Sequence, residues 1–364
     1  MAKKKKKEKP VFVVLVLSIV FFLTFLGINK DPNFTKFFNN QNNQQYYIVE
    51  EFDIETGKEE IKNPEKVEKR EERLLELEKE PTVEKNPIKN TSIRILTSPN
   101  FESNNQRLAS RAMNLPQGQK PYIMMHHTAS FASDNNMASF LQGTLSVQIM
   151  IGKDGRIVRF ADFMKFGAHH VYEGINKGDA RLYSDDGELI MNARSLNRGS
   201  IGIEINHGVR WKPEEMALPD DTPSEEQLRG IANFFIYLWK KYEIGPNLIL
   251  THSEVQTYRG EREKEPRGFF FYRDSIQRGF LAHPNLIKIC NMVKEAGAWN
   301  TGQFATISGE DIAYGIIHNN VRAGKNYLEV MIREGRSGVD QNKLREYKKT
   351  LEEYDKYKFK EQAF

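Results

Sequence analysis

From about residue 93 the chain alternates short apolar runs with amphipathic stretches, and no other feature constrains its fold so strongly. Residues 122–125, 200–205 and 247–251 are apolar runs of strand length. Residues 147–151 and 156–160 flank Asp154-Gly155, a pair that favours a tight hairpin because glycine accepts positive φ. Thr222-Pro223-Ser224-Glu225 reads as a helix start, with Thr222 as cap and Pro223 in the first turn. That helix runs to about Tyr242 and buries Ile231, Phe234, Phe235, Leu238 and Trp239. Two more helices are expected at roughly 309–334 and 338–358, the second strongly charged. The expectation is an α/β domain over 93–300, followed by a helical extension over 301–364. A single cysteine, Cys290, excludes an intrachain disulfide framework and a Cys-rich metal cluster. It is expected as a small apolar residue on a helix over 286–293.

The N-terminus reads as an address. Residues 3–7 and Lys9 are lysines, and the run 11–28 carries no charge, at the short end of what spans a bilayer. Lysines stay on the cytoplasmic side, so residues 1–10 are expected as a basic cytoplasmic tail and 11–28 as a transmembrane anchor. The rest of the chain then lies on the extracytoplasmic side of the cell membrane. A cleaved signal shares this layout, but the run ends without a small-x-small cleavage site. Residues 29–92 read as a stalk: first rich in Asn and Gln, then in Glu and Lys, with Pro64 and Pro81 interrupting. The chain holds 53 Lys and Arg against 49 Asp and Glu, a net charge of +4. Because the first ten residues hold six lysines and one glutamate, the remainder is nearly neutral. No later basic stretch interleaves with aromatics, so nucleic acid is not expected as a partner.

Chemistry concentrates at strand ends. His126 and His127 follow the run 122–125, and His252 follows 247–251. Imidazoles at the ends of two sheet strands can be neighbours in space and suit zinc, and strand alternation allows only one of His126 and His127 to reach it. Glu204 lies inside the apolar run 200–205, where a carboxylate is costly unless paired or put to use. Such a group has an adjustable pKa, as a general acid/base requires.

Four segments in order carry a family resemblance: Tyr122-Ile123-Met124-Met125-His126-His127-Thr128-Ala129-Ser130, Ile151-Gly152-Lys153-Asp154-Gly155-Arg156-Ile157, Asn197-Arg198-Gly199-Ser200-Ile201-Gly202-Ile203-Glu204 and Leu250-Thr251-His252-Ser253-Glu254-Val255. Together they resemble the zinc-dependent N-acetylmuramoyl-L-alanine amidases of the type-2 amidase and peptidoglycan-recognition-protein superfamily, over about 121–285. The resemblance implies a central mixed, mostly antiparallel sheet flanked by helices, with Zn2+ in an open groove. It implies His126 and His252 as metal ligands and Glu204 as the catalytic acid. His169, in Ala168-His169-His170, falls where the family has a groove histidine that contacts substrate. Asn197 matches a frequent polar residue before the acid's strand, and it joins His127 and His169 as an expected substrate contact.

The third ligand departs from the family pattern. The family uses an Asp or Cys downstream of the second histidine, often before proline. Here Glu265-Pro266 imitates that pair, while Arg267-Gly268 followed by Asp274 resembles the ending of phage-type members. Asp274 is favoured, and Glu265 remains the alternative. Arg267, Lys264 or Arg273 is the expected cation near the oxyanion, with Arg267 preferred.

With these assignments the resemblance implies a membrane-anchored enzyme. It would hydrolyse the amide between N-acetylmuramic acid and L-alanine in peptidoglycan. Loss of the third ligand would leave a noncatalytic peptidoglycan-binding module. A membrane-tethered interaction protein, with 301–364 recruiting a partner, is the reading from a different class.

Overall fold

The structure is a computed structural model and describes residues 48–62, 92–128, 133–144, 147–168, 171, 173, 179–207, 223–256, 271–275 and 279–359. The basic tail, the run 11–28, residues 63–91, His169, Lys264, Glu265 and Arg267 lie outside the described residues. Among the described residues no helix is long and apolar enough to cross a membrane.

In chain order the strands are β1 (Ile48–Asp53), β2 (Glu59–Lys62), β3 (Ser92–Thr97), β4 (Tyr122–His127), β5 (Ile149–Ile151), β6 (Ile157–Arg159), β7 (Arg181–Tyr183), β8 (Leu189–Asn192), β9 (Ser200–Ile205), β10 (Ile249–Thr251), β11 (Phe271–Ser275) and β12 (Gly279–Ala282). The helices are α1 (Phe101–Leu108), α2 (Asp134–Thr144), α3 (Ala193–Gly199), α4 (Glu225–Tyr242), α5 (His252–Val255), α6 (Pro284–Glu295), α7 (Gly309–Arg333) and α8 (Gln341–Tyr354). Eight strands form one sheet in the order β10-β4-β9-β5-β6-β3-β1-β2. Every residue of β4 is buried, as expected of a strand covered on both faces. The fold is thus a mixed α/β sheet flanked by helices.

The expected mostly antiparallel sheet is corrected. β10, β4, β9 and β5 run parallel to one another, as do β3 and β6. Within the eight-stranded sheet, antiparallel pairing is confined to β5–β6, β1–β3 and β1–β2, while β7–β8 and β11–β12 form two separate antiparallel pairs. The cause is connectivity: α2 lies between β4 and β5 and α4 between β9 and β10, and a crossover of that length returns the chain in the same direction.

The expected stalk is also corrected, because 48–62 belongs to the sheet. β1 pairs along its length with β3, from Ile48↔Thr97 to Asp53↔Ser92. Phe52 is buried edge-on against Tyr237 of α4, with ring centroids 5.1 Å apart. The acidic residues that suggest a solvated segment have partners: Glu50 accepts from Arg159, and Glu59 from Lys241 and, at 2.9 Å, from the Tyr237 hydroxyl.

The Asp154-Gly155 hairpin forms as expected between β5 and β6, and Gly155 has φ of 79°. Its lack of a side chain matters twice, since a Cβ there would come within 2.1 Å of the Glu226 carbonyl oxygen. The first turn of α4 lies directly on the hairpin. Ser224, rather than Thr222, caps α4: its hydroxyl accepts from the Gln227 amide at 3.0 Å and donates to the Lys153 carbonyl at 2.7 Å. One bond therefore caps the helix and the other fastens it to the hairpin.

The C-terminal helices are not an appendage. Ile312, Ile316, Val321, Leu328, Leu344 and Tyr347 share one continuous hydrophobic core with Ile249, Leu250 and Val255. α7 packs on β10, α5, α6 and α8, and β12 packs on α7 and α8. Cys290 is fully buried in α6, and burial pushes its thiol pKa up. His318 of α7 is buried, which pulls its pKa down to about 4; Arg322 and Lys358 lower it further, while Asp355 and Asp185 oppose them.

Two outcomes follow from this packing. Gly155→Ala should cost about 3 kcal/mol in urea unfolding, from strained φ plus collision. Gly118→Ala, at φ of 82° with nothing within 4 Å, should cost only about 1 kcal/mol. Equal losses would remove the collision from the account. For His318 the folded pKa lies below the unfolded value of about 6.5, so the unfolded chain takes up the proton first. Its contribution is therefore full above pH of about 6.5 and is lost as pH falls toward 4. The difference between wild type and His318→Gln, followed by thermal melts across that window, should shrink as pH falls; a constant difference would refute the assignment.

Candidate active site

Among three neighbouring parallel strands, β4 and β9 end together at His127 and Ile205, and β10 ends at Thr251, level with Met125. His126 is the register partner of Glu204, and Met125 that of Thr251, which directly precedes His252. Register partners on parallel strands face the same side, about 5 Å apart along the sheet. The sequence thus sets His252, His126 and Glu204 in a row across three strands. The rings of His126 and His252 lie with centroids 4.6 Å apart at an interplanar angle of 57°. Both histidines are buried, whereas Glu204 is the one residue of β9 that is not fully buried. The carboxylate therefore stands at the more open side of the row.

His252 begins α5, and its Nε2 lies 2.7 Å from Oε1 of Gln256. An amide oxygen accepts, so the ring donates from Nε2 and the lone pair of the neutral imidazole sits on Nδ1. Gln256 had no role in the reading of the sequence, although its spacing four residues after His252 on a helical turn is a legible signal.

The loops beyond β4 and β9 are stitched together. The Thr128 amide donates to the Ile205 carbonyl at 2.9 Å, and the His207 amide to the Thr128 hydroxyl at 3.2 Å. Burial opposes the charge of Asp134 in α2, but the amides of Lys153 and Asp154 and the carboxamide of Asn206 hold its carboxyl below the usual range. Asp134 thereby ties the hairpin loop to the chain just beyond Glu204.

The remaining expected site residues are distributed as follows. His127 follows His126 in β4 and faces the other side of the sheet, buried. Asn197 of α3 is buried and clamps Val171: its Oδ1 accepts from the Val171 amide at 2.9 Å and its Nδ2 donates to the Val171 carbonyl at 3.0 Å. A further bond of 2.7 Å runs from Nδ2 to Glu173 Oε1. Its carboxamide thus acts on the segment just after His169. Asp274 lies in β11, where the pairing with β12 shifts register between Arg273 and Ser275. The Asp274 side chain, His169, Glu265 and Arg267 are outside what is described. Among the described residues no group of three or more His, Cys, Asp and Glu is arranged to hold a metal. His126 and His252 fit zinc as a donor pair, since two imidazoles plus one carboxylate is a set that zinc accepts.

Residues 117–268, less than half of the chain, match the family model described as N-acetylmuramoyl-L-alanine amidase. The match spans β4, β9 and β10, and with them His126, Glu204 and His252. It includes Glu265 and ends before Asp274. Among solved structures, the chain is similar to the N-acetylmuramyl-L-alanine amidase AmiD from E. coli, in complex with its substrate anhydro-N-acetylmuramic acid-L-Ala-D-gamma-Glu-L-Lys. Identity is 13%, with 66% of this chain and 93% of that chain covered at a TM-score of 0.32, a likeness too slight to carry an argument. No curated protein matches the chain.

Asn197→Ala should leave the Val171 backbone groups unsatisfied and cost about 2 kcal/mol. Hydrogen exchange should show loss of protection at the Val171 amide, and unchanged protection would remove the clamp.

Proposed function

We propose that the chain is a zinc-dependent N-acetylmuramoyl-L-alanine amidase acting on peptidoglycan. The observation that carries this reading is the row of His252, His126 and Glu204 on adjacent strands, with the two rings 4.6 Å apart. The family match over 117–268 supports the same class.

Zinc, held by His126, His252 and either Asp274 or Glu265, would supply Lewis acidity to the attacking water and the scissile carbonyl. Glu204 takes a proton from the water as its oxygen bonds to the lactyl carbonyl carbon. Glu204 then delivers that proton to the L-alanine nitrogen as the C–N bond breaks, leaving a carboxylic acid on the muramic acid, whose proton passes to the freed amine. Its partial exposure at the end of β9 suits a group that exchanges protons with a bound substrate. Gln256 fixes the orientation of the His252 ring. Arg267 is assigned to the oxyanion and His169 to the substrate. Asn197 acts on substrate through the loop it clamps.

In the same reading residues 1–10 and 11–28 are a cytoplasmic tail and an anchor, with the enzyme on the outer side. The tether is then 29–47, because β1 begins at Ile48. Its extended reach is about 65 Å.

The test is digestion of peptidoglycan by the purified full chain, followed by mass spectrometry for stem peptides with a free L-alanine amine. Release should stop with a zinc chelator and return with zinc. Glu204→Gln should keep its zinc and lose about 100-fold or more of its turnover. Of Asp274→Ala and Glu265→Ala, one should lose zinc and identify the third ligand. Full activity in Glu204→Gln, or no release from folded, zinc-loaded protein, would overturn the proposal.

A further inference from the structure

We propose that α7 and α8 belong to the ligand-holding machinery: Asn320 through Thr251, and Tyr347 through Glu254, fix where His252 stands relative to His126. This rests on the amidase reading, in which those histidines share a metal.

β10 is three residues long and lies at the edge of the sheet, with β4 as its one neighbour there. An edge strand this short holds its register poorly unaided. Asn320 of α7 takes the place of the absent strand. Its Oδ1 accepts from the Thr251 amide at 2.7 Å, and its Nδ2 donates to the Ile249 carbonyl at 2.9 Å. The other Nδ2 hydrogen goes to the Ile316 carbonyl at 2.8 Å, which locks the carboxamide to its own helix.

A second hold comes from α8. Glu254, two residues after His252, is fully buried. Its Oε2 accepts from the Thr251 hydroxyl at 2.6 Å and from the Ser253 hydroxyl, and its Oε1 accepts from the Tyr347 hydroxyl at 2.9 Å. The Tyr347 ring is seated on Gly324, where a Cβ would come within 2.7 Å of it. Gly324 lies one turn after Asn320, so a single face of α7 both braces β10 and seats Tyr347.

A carboxyl group inside a core is costly unless its acceptors are filled, and an aliphatic residue would pack there more cheaply. What directional bonds add is position, because apolar packing tolerates sliding that a hydrogen bond does not. The braces act on Thr251, Ser253 and Glu254, the residues on either side of His252. His126 stands on a different strand, so its spacing from His252 depends on what holds β10 and α5.

The test uses the full chain and Tyr347→Phe, which removes the hydroxyl and keeps the ring. Zinc affinity is read by competition with a chromophoric chelator, and the His252 imidazole by NMR in the metal-free protein. Tyr347→Phe should weaken zinc about 10-fold, as loss of an outer partner does. It should also shift or broaden the His252 ring signals. Leu344→Ala, a core change on α8, controls for lost stability and should leave zinc affinity within about twofold. Should Tyr347→Phe fail to fold, Asn320→Asp, which keeps Oδ1 and loses the Nδ2 donors, is read the same way. Unmoved His252 signals with wild-type affinity, or equal weakening by Leu344→Ala, would overturn the proposal. If the wild type takes up no zinc, the amidase reading falls. The His252 signals then decide positioning alone: a change in Tyr347→Phe sustains it and no change overturns it.

Discussion

A slip of one residue in a strand turns each of its side chains to the opposite face of the sheet. β4 is flanked by β10 and β9, both parallel to it, and its register with each sets what the site can be. In the observed register His126 sits opposite Glu204 and level with His252. A slip of one would bring His127 into the row and turn His126 to the other side. The register is secured by apolar content, since Ile123, Met124, Met125, Ile201 and Ile203 are all buried. Those side chains fill both faces of the sheet, so a shifted strand would have to repack two layers at once. The chemistry at the strand ends therefore draws its geometry from hydrophobic packing several residues away.

Much of this could be read from the sequence, for local reasons. The hairpin at Asp154-Gly155, the helix ending at Tyr242 and the two helices after Gly302 announce themselves through neighbouring residues and helical period. The histidines and Glu204 are legible because polar groups ending apolar runs are conspicuous. What stayed hidden was non-local. The strands over 48–62 resemble a solvated charged segment until Glu50 meets Arg159 and Glu59 meets Tyr237 and Lys241, partners more than a hundred residues distant. Parallel pairing depends on which strands the crossovers bring together, and residue type does not encode that. Ser224 caps α4, and its hydroxyl also reaches the hairpin, a contact that no neighbouring residue signals. Asn197 is expected to contact substrate, and its bonds to the Val171 backbone and the Glu173 carboxylate, 26 and 24 residues away in the chain, have no local signal. Nothing adjacent to Asn320 or Tyr347 signals that they serve β10 and α5.

The polar interior shows how the core combines tolerance with exactness. Around α4 and α6 the packing is aromatic and aliphatic, a medium that accepts many substitutions of similar volume. Around β10 and α5 it changes character: Thr251, Ser253, Glu254, Asn320 and Tyr347 are fully buried and joined by hydrogen bonds. Such a patch contributes less stability than hydrocarbon would, and it admits one arrangement. Through Thr251 and Ser253 it flanks His252 on both sides in the chain.

Asn320 standing in for a strand also bears on the order in which the molecule comes into being. A ribosome delivers His126 early and His252 much later, and the residues that brace His252 follow later still. Until α7 has emerged, β10 lacks the Asn320 brace, and until α8 has emerged, the carboxylate of Glu254 lacks the Tyr347 hydroxyl. A nascent chain can hold both histidines without the frame that spaces them. The pair is therefore among the last features of the fold to be finished, although its first member lies in one of the earliest strands to be made.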